Sequence, residues 1–473
     1  MNEKLSRAEF LQTLAGIVSP AHVLPDSDAI AGNLKEPRGL YNGRALALVR
    51  PGSTADVAKV VAACAAARVA LVPQGGNTGL VGGQTPDASG EEIILSLQRM
   101  RRIREIDPLT DTMTLEAGVT LAEAQSAAEG ADRLFPLSLA SEGACTIGGN
   151  LSTNAGGVAV IASGNAREMA TGLEVVLADG RIVNALSKLR KDNTGYDLKD
   201  LFIGAEGTLG IITAAALKLF PRPRSRVAAF VGLASPSRAL ELLRLARDAM
   251  GQGVVSFELI PRIALDFVLR HVNATRDPLA ERQDWYVLIE AASQAPVGLE
   301  EAMTAMLAEA HELGLIEDAA IAATLEQRAD FWRLRESISD VQKQEGGSIK
   351  HDVSVPLGAV PEFLAEATAA VERFLPGARV VAFGHLGDGN IHFNVSQPIG
   401  ADKAAFLARW EAMNELVHDI VARYAGSFSA EHGIGQLKRD LLARAKDPAA
   451  LDVMRKIKAA LDPLGIMNPG KVL

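Results

Sequence analysis

A glycine-dense run at residues 73–83, PQGGNTGLVGG, constrains this chain more than any other stretch. Five of its eleven residues are glycine, so the main chain can take positive φ and turn successive N–H groups toward an anion. Residues 54–68 before it have the alanine content and apolar period of a helix that Thr54 can cap, and residues 69–73 read as a short buried strand. A strand feeding such a loop suits a pyrophosphate. The familiar nucleotide fingerprints are missing, however. No G-x-G-x-x-G follows a strand, and the G-x-x-x-x-G-K from Gly465 to Lys471 is followed by Val472 where a Walker loop needs Ser or Thr. A Rossmann NAD site and a Walker ATPase are both disfavoured.

Two further glycine segments follow in order, GGNLSTNAGG at residues 148–157 and GAEGTLGIIT at residues 204–213. Around the second, Gly143, Gly148, Gly149, Gly156 and Gly157 keep side chains off the backbone, letting residues 141–157 lie flat against a large planar ligand. Together the three segments resemble the flavin-binding segments of the vanillyl-alcohol-oxidase type of FAD domain. The resemblance covers nearly the whole chain and implies an FAD enzyme of the D-2-hydroxyacid dehydrogenase group. It implies cofactor contacts from Pro73, Gly75, Gly76, Asn77, Thr78, Gly79, Leu80, Gly82 and Gly83 in the first segment. The second, with the residues leading into it, supplies Pro136, Gly143, Thr146, Gly148, Gly149, Asn154, Gly156 and Gly157, and the third Glu206, Gly210 and Ile212. The C-terminal tail returns to the flavin in this family, which makes Asn468 a ring contact. FAD attachment is expected to be noncovalent, since neither cysteine can be assigned as a tether from spacing.

At 473 residues the chain should form two or three domains. Its net charge of -9 argues against a nucleic-acid partner. Two cysteines, Cys64 and Cys145, make no disulfide framework and read as small core residues, so a reducing, cytoplasmic setting is expected. The N-terminal residues include Glu3 and Glu9 and lack a long apolar run, unlike a signal or transit peptide. No stretch of roughly 18 apolar residues suggests a membrane span.

The expected fold class is α+β: a two-subdomain FAD-binding domain plus a substrate (cap) domain with an antiparallel sheet flanked by helices. Residues 1–44 read as an N-terminal segment with a helix over residues 5–18, on Leu5, Phe10, Leu14 and Val18. Residues 45–223 form the FAD-binding domain, closed by Pro221 and Pro223, and include a hairpin turned at Asp179-Gly180. Residues 224–427 alternate Ala/Leu-rich helices with strand runs. Residues 428–473 return to the flavin.

Residues 380–395, VVAFGHLGDGNIHFNV, are two apolar runs joined through Asp388-Gly389. With those two as corners of a type I′ turn, His385 faces His392 across the hairpin and Leu386 faces Ile391. Directly opposed residues hold their Cβ atoms ~5 Å apart on one face, close enough for two imidazoles to grip one ion. Asn394 lies on that face too. Glu431 and His432 add a carboxylate and a third imidazole. Two imidazoles and one carboxylate leave coordination positions open, as at a catalytic metal. The same motifs, GHLGDGNIHFN and AEHGIG, resemble those of the D-2-hydroxyglutarate and D-lactate dehydrogenase branch. That resemblance implies His385, His392 and Glu431 as metal ligands, and Asn394 and His432 as substrate contacts. Strand neighbours face opposite ways, so Glu431 and His432 can both serve a site only if the strand ends there, which Gly433 allows. Zinc suits the ligand types, with manganese or iron as alternatives.

Residues 324–343 have helical periodicity, placing Arg335 and Ser339 four apart on one side, and Lys350 opens the strand-like run KHDVSVP. By itself Arg335 reads as a solvated helix charge. The resemblance makes Arg335, Ser339 and Lys350 a clamp for a second substrate carboxylate, with Ser339 where the family has Thr more often. An Arg fork and a Lys ammonium would be stranded by the methyl of lactate. D-2-hydroxyglutarate or D-malate is therefore the expected substrate, and D-lactate or another D-2-hydroxy monocarboxylate the alternative. In the implied reaction a chelated cation lowers the pKa of the hydroxyl, His432 takes its proton, and hydride passes to flavin N5, giving the 2-oxo acid. The electron acceptor is then an electron-transferring flavoprotein, a quinone or another carrier, and the sequence allows a homodimer. A metal-dependent hydrolase using the same His/His/Glu set is the rival from another class.

Overall fold

A computed structural model describes residues 6–25 and 28–473. Leu5, the first apolar position of the predicted N-terminal helix, lies outside the described residues. The helix itself spans Arg7–Val18, closed by a reciprocal Ser6/Glu9 capping box, with Phe10, Leu14 and Val18 buried. The chain divides into two compact units. The first takes in the chain as far as Gly156, then Asn165–Pro221 and Glu431–Leu473; the second comprises Gly157–Gly164 and Arg222–Ala430.

In the first unit a mixed sheet runs in the order Val23–Pro25, Ala47–Val49, Ile93–Ser96, Leu71–Gln74. Ile93–Ser96 lies parallel to both Ala47–Val49 and Leu71–Gln74. It is buried along its length, as a strand sandwiched on both faces must be. The crossover is the Thr54–Ala67 helix, whose Val57, Val60, Val61 and Cys64 pack on Phe10, Leu14 and Val18. Ser53, not Thr54, caps it. Ser53 has extended backbone and its hydroxyl accepts from the Asp56 amide at 3.1 Å, whereas Thr54 is already helical and donates to Glu174 at 2.5 Å.

A second, antiparallel sheet in the order Ile103–Asp107, Thr112–Glu116, Ile211–Lys218, Ala170–Val176, Ile182–Ala185 completes that unit. Its last two strands are joined at Gly180, with φ +84°. The edge strand Ile103–Asp107 was not read from the sequence because it is largely exposed, so its residues carry no apolar alternation.

The second unit is built on an antiparallel sheet, ordered Asp318–Ile321, Ser225–Leu233, Trp285–Ser293, Val254–Pro261, Arg379–His385, Asn390–Ser396, Ser348–Ser354. One face is apolar except for His351: Ile349, Val353, Ile391, Phe393 and Val395, at even spacings along their strands, pack with Leu242, Met303, Phe363 and Val417 of four covering helices. The opposite face is apolar over only part of its width. There Phe230, Tyr286, Leu288 and Phe383 meet the helices Arg262–His271 and Leu325–Glu336. The remainder of that face carries polar side chains. No helix among the described residues is long and apolar enough to cross a membrane.

Candidate active site

The first unit holds an open cleft whose empty space, mouth included, is about 870 Å³. All three glycine segments reach it: Gly75, Gly76 and Gly79 from the first, Gly148 and Gly149 from the second, Glu206, Gly207 and Gly210 from the third. The reason for glycine differs from the expected one. Within residues 73–83, positive φ occurs at Asn77 (56°) and Gly82 (72°), not at Gly75, Gly76, Gly79 or Gly83. Gly75 and Gly76 are small because the loop is pressed against residues 144–146. A Cβ on Gly75 would sit 2.3 Å from Thr146 Oγ1, and one on Gly76 1.8 Å from the Ala144 carbonyl oxygen. The second segment is likewise not a flat run. Thr146 caps a short helix, Ile147–Ser152, which buries Ile147 and Leu151 four residues apart and seats Gly148 on Ala117.

His432 lines the same cleft. It lies in an irregular bend, and Gly433 follows at φ +82°, so the alternation of a strand places no restriction on Glu431 and His432. The turn after it is strapped down by Glu206, whose carboxylate accepts from the Ile434 and Gly435 amides at 2.7 and 2.8 Å. Burial raises the Glu206 pKa, and those two amides oppose the rise. Burial also raises that of the Cys145 thiol in the cleft wall.

In the second unit the polar half-face centres on Glu258, fully buried and directly opposite His385. Its Oε1 accepts from His385 Nδ1 at 2.7 Å, and its Oε2 accepts from Arg335 Nε at 2.7 Å and is ion-paired with Nη2 at the same distance. Burial alone would raise this carboxyl, but His385 and Arg335 outweigh it and hold the group well below the ordinary carboxylate range. Arg335, 6% exposed, lies 4.8 Å over the Phe383 ring, so it is not a solvated helix charge.

The hairpin register departs from the predicted one. His385 pairs with Asn390, and Phe383 with His392. The connection is the four residues 386–389 rather than a two-residue turn, because Leu386 leaves the ladder to join the apolar core and Gly389 takes φ +81°. The shift amounts to two positions, which conserves the face. The two imidazoles are therefore diagonal neighbours, ring centroids 5.3 Å apart and planes at 81°. Asn394 shares the face, opposite Lys350, and donates to Gln342 Oε1 at 3.1 Å. The helix bearing Arg335 stops at Glu336, and Ser339 lies beyond the break in the Ile338–Val341 turn. Ser339 is exposed, and Lys350 Nζ donates to its carbonyl at 3.0 Å.

Two family models match the chain: an FAD binding domain over residues 45–186, and the C-terminal domain of FAD linked oxidases over residues 222–472. A probable mitochondrial D-2-hydroxyglutarate dehydrogenase of Oryza sativa subsp. indica is 38% identical over 97% of this chain and 80% of its own. The D-2-hydroxyglutarate dehydrogenase of Xanthomonas citri pv. viticola is 39% identical over 90% and 89%. The chain belongs to the FAD-linked D-2-hydroxyacid dehydrogenases. Solved structures share its fold at 17% identity: p-cresol methylhydroxylase with substrate bound, TM-score 0.77 over 98% of this chain and 96% of that one, and alkyldihydroxyacetonephosphate synthase, TM-score 0.74 over 99% and 86%. This is the vanillyl-alcohol-oxidase type of FAD fold.

For an FAD-linked dehydrogenase the cleft carries suitable donors and acceptors. Asn77 Oδ1 is buried in its wall with no hydrogen-bond partner among the described residues, as expected of an atom that a polar ligand satisfies. Pro73, Thr78, Gly83, Thr146 and Ile212 also line it. Leu80, Gly82, Pro136, Gly143, Asn154 and Gly156 are not among the lining residues, and Gly157 falls in the other unit. Gly82 instead makes room for the Tyr41 ring, Asn154 accepts from the Arg167 amide, and Gly143 is exposed with open space around it. Asn468 is a strut: its Nδ2 donates to the carbonyls of Gly83 and Glu206, at 2.9 and 2.8 Å, and it does not line the cleft. Gln74, Gln84, Leu97, Asn150, Thr153 and Ile211 line the cleft and were not singled out. Asn150 and Thr153 were within reach, since they sit inside the second glycine segment. Asp352, opposite His392 in the sheet and buried, is a further residue that the hairpin motif did not flag.

Proposed function

We propose that this dehydrogenase oxidises D-2-hydroxyglutarate to the 2-oxo acid, with FAD held noncovalently in the cleft and a divalent cation, zinc first among the candidates, held by His385, His392 and Glu431. The observation that carries the reading is His432 in the wall of the cleft formed by the three glycine segments. The names of the relatives support the substrate. The donor set supports the metal. With Nδ1–H given to Glu258, His385 keeps its lone pair on Nε2, the carboxylate–histidine arrangement that orients metal-bound imidazoles.

Bound FAD supplies a two-electron acceptor for the carbon-bound hydrogen, and a bound cation favours the ionised alcohol. His432 takes the hydroxyl proton at a ring nitrogen. Asn394 offers its side-chain amide to the substrate. Arg335 retains Nη1, which makes no hydrogen bond among the described residues, for a second carboxylate; Lys350 adds its ammonium. Glu258 neutralises Arg335 in part and keeps its fork in one orientation. D-malate fits the same charge pattern. We assign reoxidation to an electron-transferring flavoprotein or a quinone.

Steady-state turnover with a dye acceptor tests the substrate. D-2-hydroxyglutarate should give the highest kcat/KM, with D-malate next. A higher value for D-lactate would overturn the diacid assignment while leaving the dehydrogenase reading intact.

A further inference from the structure

We propose that Glu258 is the positioning residue that ties the metal-binding end of this site to its carboxylate-binding end. The proposal rests on the reading of His385 as a metal ligand and Arg335 as a substrate contact, and concerns the residue that makes both roles possible.

Glu258 stands on the Val254–Pro261 strand, in the interior of the sheet, and its side chain is wholly buried. An apolar residue would suit such a position at least as well for stability, since a buried ion pair seldom repays its desolvation. The division of its two oxygens indicates why a carboxylate is there. Oε1 receives the imidazole N–H of His385, while Oε2 receives the Nε–H of Arg335 and is ion-paired with its Nη2. One planar group thus settles which nitrogen of His385 is protonated and the direction in which the guanidinium points. The register reinforces this. Glu258 and His385 are direct cross-strand partners, so the ladder sets their separation, while Arg335 comes from the last turn of the covering helix and is packed over Phe383. Displacing the carboxylate frees the imidazole to rotate and leaves the guanidinium without its counter-ion in a buried setting.

The test is Glu258→Gln in the FAD-loaded protein, with zinc as the probe, titrated against a chromophoric chelator. An amide of the same shape can accept on one side only, and its NH₂ confronts a donor on the other. Zinc should bind about 10–100-fold more weakly, and KM for D-2-hydroxyglutarate should rise, with flavin content unchanged. Wild-type zinc affinity in a folded variant would overturn the proposal while leaving the metal reading in place. If neither wild type nor the variant binds zinc, and His392→Ala changes nothing, the metal reading falls and this proposal with it. Should Glu258→Gln fail to fold, histidine ¹⁵N spectra of the zinc-loaded wild type decide. The His385 signals, assigned by their loss in His385→Gln, should report Nδ1 protonated and Nε2 coordinated; the reverse assignment would overturn the proposal.

Discussion

The cleft of the first unit and the polar half-face of the second are made in opposite ways. The cleft is largely backbone, with chain segments brought close enough that Gly75 and Gly76 leave no room for a side chain. The half-face is almost entirely side chain, projected from a regular ladder at every second position and tied together through Glu258. A site made by close approach tolerates almost no added atom at the point of contact. A site made by strand alternation tolerates a shift of register, provided the shift is even. The contrast also separates roles: a surface made of amides and small residues suits an anionic, planar cofactor, whereas imidazole, carboxylate and guanidinium groups suit a cation and an acid substrate.

The sharpest break of the comparison is His432, a side chain set into the wall of the backbone-built cleft. His432→Ala should lower kcat by about 10²–10⁴-fold with the flavin spectrum unchanged, as measured by turnover beside flavin content. Next comes Gly76→Ala, whose added carbon would meet the Ala144 carbonyl at 1.8 Å. It should cost about 1–3 kcal/mol and release flavin, read by denaturant unfolding and by flavin retained on gel filtration.

A smaller effect belongs to the second unit alone. Burial would raise the Glu345 carboxyl, but hydrogen bonds from Arg379, His271 and Arg270 prevail and lower it to about 2. An unfolded glutamate titrates near about 4.3. The stabilisation is therefore complete above that pH and is lost as the pH falls toward the folded value. Thermal midpoints between those limits should drop more steeply for wild type than for Glu345→Gln. The smallest effect is Gly143→Ala. With nothing within 4 Å of the added carbon, stability should stay within about 0.5 kcal/mol and flavin binding should not change. Weakened flavin binding there would return Gly143 to the cofactor site.

These cases also mark what could be read from the residues alone. The glycine segments announced a cofactor cleft, and the alternation in residues 380–395 placed His385, His392 and Asn394 on one face. Both are local signals. Which glycines matter, and why, depends on contacts between segments far apart in sequence, such as Gly76 with Ala144 or Gly82 with Tyr41, and no local pattern encodes them. The four-residue connection at 386–389 follows from Leu386 entering the core, a tertiary preference that overrides the Asp-Gly turn signal. Glu258 was invisible for the same reason: within FELIP it is one charged residue in an apolar strand, and only the pairing with His385 gives it meaning.

Anaerobic mixing of the FAD-loaded protein with D-2-hydroxyglutarate, following the visible absorbance of the flavin, puts the account to its most direct test. Rapid bleaching, abolished by prior removal of the divalent cation and restored by zinc, is the predicted result. A flavin that stays oxidised with this and every other D-2-hydroxy acid, cation present, would contradict it.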